Sequence, residues 1–231
     1  AAYKARRGNV PMNLFTDHGN KNTLTGVSEG SLKAFLGGSW KPLIDLIVAG
    51  KIKGLAGVVG CSSVAYGHDT LTKDILVLTA GCSSGGLENI GLMTPEAAEL
   101  AGPNLRAVCK ELGIPPVLNF GPCLAIGRLE IVATEIAGEL GVDLPALPLV
   151  LSAAQWLEEQ ALADGAFALA LGLPLHLGVP PFITGSKLVT RILTEDMVSL
   201  TGGRVIIDPD GKSAADKLEA IIQEKRKALN I

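Results

Sequence analysis

The chain has 231 residues, which is long enough for one large α/β domain or for one domain with a small appendage. Its composition is that of a globular protein, with 48% hydrophobic and 19% charged residues. The net charge of −3 comes from 23 acidic and 20 basic residues without a basic cluster, which excludes nucleic-acid binding through concentrated positive charge.

Membrane insertion and export are not predicted either. No stretch approaches the ~20 consecutive apolar residues of a membrane span, and no signal-peptide core follows the polar amino terminus. The first residue is alanine rather than methionine, so we expect a fragment or a processed product. We expect a cytoplasmic protein with reduced thiols.

The predicted elements alternate between helices and short apolar strands. Residues 1–36 are predicted to be an irregular and helical lead-in, a remnant of a preceding domain, and residues 37–231 one α/β domain. Short runs rich in Val, Ile and Leu predict strands at 54–59, 75–79, 116–120, 147–151, 175–178 and 204–207. Apolar stripes predict helices at 32–36, 42–49, 97–112 with a break at Gly102-Pro103, 124–140, 155–171 and from Ala214 onward. This order predicts a doubly wound, Rossmann-like, mostly parallel sheet with helices on both faces.

Three of the four cysteines directly follow predicted strands. Cys61, Cys82 and Cys123 each lie next to a glycine or a Gly-Pro pair. Because the carboxyl ends of parallel strands share one edge, where open α/β folds bind their ligands, we expect these thiols to converge. Glycine beside each thiol permits a bulky ligand to approach closely.

Converging thiolates suit a soft metal centre, such as zinc or an iron–sulfur cluster. None of the three belongs to a CxxC pair, which argues against a zinc ribbon or a thioredoxin-type site. From spacing alone, buried structural cysteines and catalytic thiol or disulfide chemistry remain alternatives. Cys109 lies in a predicted helix, where we expect a small buried apolar side chain.

The runs around these cysteines are VGCSS at 59–63, TAGCSSGG at 79–86 and NFGPC at 119–123. Further runs are GLMTPEA at 91–97, GIPPVL at 113–118, GVDLP at 141–145 and PPFITGS at 180–186. Together they resemble the cluster-binding region of nickel–iron carbon monoxide dehydrogenases. The resemblance extends from about residue 37 to the carboxy terminus and covers only the last part of a family member.

The resemblance implies an anaerobic oxidoreductase that converts CO and water to CO2, two protons and two electrons at a Ni–Fe–S cluster. By motif, Cys61 and Cys82 would bind cluster irons and Cys123 the nickel. A histidine and further cysteines that complete the cluster, and additional 4Fe-4S clusters, are expected on an amino-terminal part that is absent here. The family also implies a homodimer and a ferredoxin-like electron acceptor.

Two features depart from the family pattern. A lysine that assists CO2 or its protons is replaced here by Gln160, which donates a hydrogen bond but relays no proton. The interval from Cys61 to Cys82 is shorter than the family's by about two helical turns, which leaves little room for the crossover helix of a parallel βαβ unit. We favour missing residues over a lost helix, which would place His68 and Asp69 on a mobile loop near the site.

Gln160, His176 and Lys187 are the candidate catalytic residues. His176 ends an apolar strand near the same edge, where a satisfied core histidine is the alternative to a proton relay. Lys187 stands at a predicted helix start, where a solvated side chain is the alternative to contact with CO2 or an anion. Arg128 and Glu130 are expected to tie down their helix rather than to act on substrate.

Two alternative functions remain open. A hybrid-cluster, hydroxylamine reductase-like protein belongs to the same superfamily. A degenerate, non-catalytic iron–sulfur scaffold is suggested by Gln160 and by the absent ligands. A nucleotide site is rejected, because no GxGxxG or GxxxxGK[ST] motif accompanies Gly85-Gly86.

Overall fold

A computed structural model of the chain describes residues 23–61, 69–183 and 185–231, which contain one six-stranded sheet. The strands are β1 (Gly54–Val59), β2 (Ile75–Ala80), β3 (Val117–Asn119), β4 (Leu149–Ala153), β5 (Leu175–Leu177) and β6 (Val205–Ile207). Their order is β3-β2-β1-β4-β5-β6, and every neighbouring pair is parallel. The predicted doubly wound parallel sheet is confirmed, and each predicted strand overlaps an observed one.

The strands read as continuous apolar runs because helices cover both faces of the sheet. All six residues of β2 are buried, although their side chains point alternately to opposite faces. The same holds for five of the six residues of β1. Burial on both faces is the reason that these strands lack the polar alternation of a half-exposed sheet.

The α-helices are Glu29–Phe35, Lys41–Val48, Cys82–Asn89, Pro103–Leu112, Ile126–Leu140, Glu159–Ala170, Lys187–Arg191, Met197–Leu200 and Gly211–Ala228. The break at Gly102-Pro103 is confirmed, since Pro103 begins a helix, the position that proline favours. The helix predicted at 155–171 begins only at Glu159, because Trp156 precedes it and donates from Nε1 to the Val179 carbonyl at 2.9 Å. Cys82–Asn89 is a helix that the sequence analysis did not predict. None of the helices in the described part of the chain has both the length and the apolar character needed to cross a bilayer.

The strand order places a change of direction at β1. From β1 the chain builds outward through β2 and β3, and it then returns to add β4, β5 and β6 on the other side. The connections that leave β1 and β4 therefore start in opposite directions across the sheet, and the carboxyl edge at such a point is where open α/β sheets bind ligands.

The lead-in is partly tied to the domain. Arg128 bonds Glu29 at 2.6 Å and Lys33 bonds Glu135 at 2.9 Å, so helix Glu29–Phe35 is held against helix Ile126–Leu140.

The boundary at residue 36 stays a prediction, and residues 1–22 lie outside the described part. The predicted mobile loop with His68 also lies outside it, since residues 62–68 are not described; Asp69 belongs to a short helical segment at 69–71 that leads into β2.

His176 is fully buried within β5 and is hydrogen-bonded at both ring nitrogens. Its Nε2 lies 2.8 Å from the carbonyl oxygen of Asp208, which can only accept, so Nε2 carries the proton. The neutral ring then accepts at Nδ1 from the hydroxyl of Ser152 at 2.8 Å. Burial lowers the pKa of His176 below 6.5, against a smaller raising effect of the Asp208 carbonyl.

We expect acid to destabilise the chain through His176. Because the pKa is lower in the folded state, the unfolded chain binds the proton first, and stability present above pH 6.5 is lost as the pH falls below that value. Each unit of pKa depression corresponds to about 1.4 kcal/mol. His176→Gln keeps a donor and an acceptor but does not titrate. Thermal unfolding between about pH 7 and pH 5 should show a smaller loss of Tm in the variant than in the parent; equal losses would contradict the assignment.

Candidate metal centre

The loops after β1, β2 and β3 are joined by backbone hydrogen bonds. The amide of Cys61 donates to the carbonyl of Gln155 at 2.8 Å, and the amide of Ser83 donates to the carbonyl of Gly60 at 2.9 Å. The amide of Gly81 donates to the carbonyl of Gly121 at 2.9 Å. These bonds fix the backbones that carry the three cysteines at one edge of the sheet, which is where the sequence predicted them.

Two glycines allow this close approach. Gly60 has a φ of 129°, and a Cβ there would lie 2.3 Å from the carbonyl oxygen of Gln155. Gly81 has a φ of 89°, and a Cβ there would lie 3.2 Å from the Sγ of Cys123. L-residues with a side chain avoid this part of φ space. The positive φ values and the short distances therefore favour glycine at both positions. The same glycines leave room for a ligand beside the cysteines.

The three thiols are close enough to influence one another. Cys61 and Cys123 are half-buried, Cys82 is exposed, and all are free thiols. Cys123 raises the pKa of Cys82 most, followed by burial and then by the charge of Cys61. Like charges that converge in this way repel one another, and a bound cation would remove the repulsion.

The donor set fits a thiophilic centre. Sulfur ligands select iron–sulfur clusters, nickel–iron–sulfur clusters and zinc over hard cations. The amide of Leu157 donates to the Sγ of Cys61 at 3.1 Å, a contact that orients the sulfur. Among the described residues, no three His, Cys, Asp or Glu side chains are arranged to hold a metal ion, so the thiols alone do not complete a site for a single ion.

A largely apolar cavity of about 70 Å³ opens next to the thiols. It lies between helices Ile126–Leu140 and Glu159–Ala170, over the sheet residues Gly57 and Leu151, and Cys61 and Cys123 line one end. Its volume is sufficient for a few molecules of the size of water. A small, uncharged molecule would therefore have space directly beside two of the three thiols.

The candidate catalytic residues are distributed over different places. Gln160 lines the cavity together with Cys61 and Cys123. His176 is fully buried in the sheet, as described above. Lys187 is exposed and is the first residue of helix Lys187–Arg191, whose N-cap is Ser186. The geometry thus brings Gln160 to the thiols and leaves His176 and Lys187 outside the cavity lining.

Cys109 is separate from the other three cysteines. It is 2% exposed on helix Pro103–Leu112, and burial raises the pKa of its thiol to about 12. A thiol with this pKa stays protonated at neutral pH and neither attacks nor binds metal readily. The prediction of a small buried apolar side chain is confirmed.

The sequence interpretation missed two cavity residues, Glu130 and Asp164. Glu130 was expected to tie down its helix, but only Arg128 makes such an ion pair, whereas Glu130 lines the cavity. In the sequence, each acid lies beside the apolar stripe of its helix, which indicates that it is near the core. The stripe does not indicate which other helix packs against it.

Comparison with known proteins gives a consistent result. A sequence model described as the Prismane/CO dehydrogenase family matches residues 2–212. The carbon monoxide dehydrogenase of Methanocaldococcus jannaschii is 55% identical over 240 positions, which cover all of this chain and 38% of that protein.

Solved structures agree with the sequence match. The nickel-free, as-isolated carbon monoxide dehydrogenase from Thermococcus sp. AM4 superposes with a TM-score of 0.84 at 40% identity, over 89% of this chain and 34% of that one. Carbon monoxide dehydrogenase IV from Carboxydothermus hydrogenoformans gives a TM-score of 0.82 at 37% identity, over 90% and 36%. The chain therefore spans little more than a third of the length of these relatives.

Proposed function

Because this chain belongs to the Prismane/CO dehydrogenase family, we propose that it is the carboxy-terminal, cluster-binding part of a carbon monoxide dehydrogenase. The proposed reaction converts CO and water to CO2, two protons and two electrons. The observation that carries the proposal is the convergence of Cys61, Cys82 and Cys123 at the sheet edge beside an apolar cavity. The domain that holds the cluster would comprise residues 37–231.

In this proposal the three cysteines hold a Ni–Fe–S cluster, Cys61 and Cys82 through irons and Cys123 through nickel. When bound, the cluster supplies the electron acceptance and the Lewis acidity that CO oxidation requires. The Leu157 amide holds the Cys61 sulfur in place by its hydrogen bond at 3.1 Å. Outer contacts of this kind orient metal ligands. The remaining ligands and the 4Fe-4S clusters would come from the rest of the protein.

The apolar cavity would serve the substrate. Much of its wall is aliphatic, as at Leu129 and Ala161, and would admit a small uncharged molecule such as CO. Gln160 lines the same space, and its amide group would donate a hydrogen bond to an oxygen of the substrate or product. The catalytic roles of His176 and Lys187 and the cytoplasmic location remain proposals from the sequence, and the homodimer and the ferredoxin-like acceptor are proposals from the resemblance.

Elemental analysis of the anaerobically purified full-length protein, combined with a CO oxidation assay, tests the proposal. We expect nickel and iron together, with CO-dependent reduction of an electron-accepting dye. Iron without nickel would instead favour a hybrid-cluster protein or the non-catalytic scaffold that the uncharged Gln160 suggests. Neither metal, under conditions that load another family member, would contradict cluster binding altogether.

A further inference from the structure

Two carboxyl groups from different helices meet in the cavity beside the thiols. Glu130 lies on helix Ile126–Leu140 and Asp164 on helix Glu159–Ala170, and both line the cavity that Cys61 and Cys123 also line. The charge of Asp164 raises the pKa of Glu130, as expected for two acids that line the same cavity. An acidic pair in an otherwise apolar space calls for an explanation, because burying unpaired carboxylates is costly.

The local contacts do not neutralise this pair. Oδ2 of Asp164 is buried and has no hydrogen-bond partner among the described residues. Among the described residues that line the cavity there is no lysine, arginine or histidine. The other acidic groups there are Cys61, Cys123 and Glu158, none of which can supply a positive charge. A proton is therefore the simplest group that can remove the charge.

The titration behaviour agrees with the geometry. Burial raises the pKa of Glu130 most, and the neighbouring Asp164 raises it further. Burial also raises the pKa of Asp164. The proton affinity of Glu130 therefore depends on whether Asp164 is charged.

The position of the pair relative to Gln160 indicates what it could do. Gln160 and Asp164 are one helical turn apart on helix Glu159–Ala170, and both line the cavity. Gln160 lies at the position nearer the helix start and cannot exchange a proton at neutral pH. Asp164 is the next polar group along that helix face, and Glu130 stands opposite it.

We propose that Glu130 and Asp164 are proton-relay residues, which accept the protons released at the cysteine edge and pass them on to solvent; this rests on the proposed function. A proton from the water that reacts with CO moves to a carboxylate oxygen, where an O–H bond forms and a neutral carboxylic acid results. Release of that proton to solvent restores the carboxylate. No bond between heavy atoms changes at the pair, and the two electrons leave separately to the ferredoxin-like acceptor.

The test uses the full-length, metal-loaded protein and the variants Glu130→Gln and Asp164→Asn. We expect kcat for CO oxidation to fall about tenfold, below the hundredfold or more contributed by a proton-transferring group in contact with substrate. Nickel content, iron content and KM should stay at the parent level, and the solvent deuterium isotope effect on kcat should rise. Glu111→Gln is the matched control, because Glu111 is exposed on helix Pro103–Leu112, outside the cavity lining.

Infrared titration of the carboxyl stretch provides a readout that does not depend on turnover. In Asp164→Asn, the pKa of Glu130 should fall because its charged neighbour is gone. An unchanged pKa of Glu130 in this variant would overturn the pair. If the parent is active and neither substitution changes kcat or the isotope effect, the relay role is contradicted but the pair is not. A parent with no nickel and no CO oxidation would contradict the proposed function itself. The metal analysis of the parent distinguishes this result from a failure of the pair or of the relay.

Discussion

Cys123→Ala is expected to abolish nickel binding and to lower CO oxidation by at least about a thousandfold in the full-length protein, since losing even an outer contact of a metal ligand costs ~10- to 100-fold. Cys123 is half-buried and lines the apolar cavity, and its Sγ would lie 3.2 Å from a Cβ at Gly81. Elemental analysis and the dye-coupled CO assay, both under anaerobic conditions, measure the effect.

Cys109→Ala is the matched control for this substitution. Cys109 is also a free thiol, but it is buried in helix Pro103–Leu112 away from the cavity. Loss of one buried sulfur should cost about 1 kcal/mol of stability and leave the metal content unchanged. Circular dichroism of Cys123→Ala should match that of the parent, because the substitution leaves the core strands intact. Nickel at the parent level in Cys123→Ala would contradict its role as the nickel ligand.

The sheet was predictable because its strands are buried on both faces. Continuous runs of Val, Ile and Leu differ clearly from the alternating apolar and polar pattern of half-exposed strands. Each predicted strand was found. The convergence of Cys61, Cys82 and Cys123 followed from the shared edge of parallel strands. The order of the strands was not predictable, since nothing in an apolar run specifies its neighbours.

The helix that begins at Cys82 escaped prediction for a physical reason. Its sequence, CSSGGLEN, contains two serines and two glycines, which are poor helix formers. Burial and a local hydrogen bond stabilise it instead: Leu87 is fully buried, and the hydroxyl of Ser84 donates to the carbonyl of the N-cap residue Gly81 at 2.6 Å. A cysteine at the first residue of such a helix therefore looks like a loop residue in the sequence.

The cavity and its acids depend on how two helices face each other. Helices Ile126–Leu140 and Glu159–Ala170 belong to different strand–helix units, and periodicity within each gives no information about the space between them. The small residues Ala161, Gly165 and Ala168 leave that space open. A Cβ at Gly165 would lie 2.9 Å from Leu175 Cδ2, the end of a flexible side chain that would have to shift to make room for it.

Gln160→Lys is the second substitution with a large expected effect, a rise in CO oxidation of about tenfold to a hundredfold. Gln160 is an exposed residue that lines the cavity together with Cys61 and Cys123, so a lysine there has space and access to water. Its ammonium group would attract the negative charge that develops on the oxygens of the product and would donate a proton, which glutamine cannot do. Steady-state kcat at saturating CO, with nickel content checked, measures the change.

Two control variants separate the charge of this lysine from its proton. Gln160→Arg supplies a cation that keeps its proton, and Gln160→Met supplies neither charge nor proton. If electrostatic attraction dominates, Lys and Arg should raise kcat alike; if proton transfer dominates, only Lys should. In the Glu130→Gln background, Gln160→Lys should restore activity by more than it adds to the parent, because both substitutions then act on the same proton path. Simple additivity would show that the lysine and the acidic pair work independently, and an unchanged kcat in Gln160→Lys would contradict a role for this position.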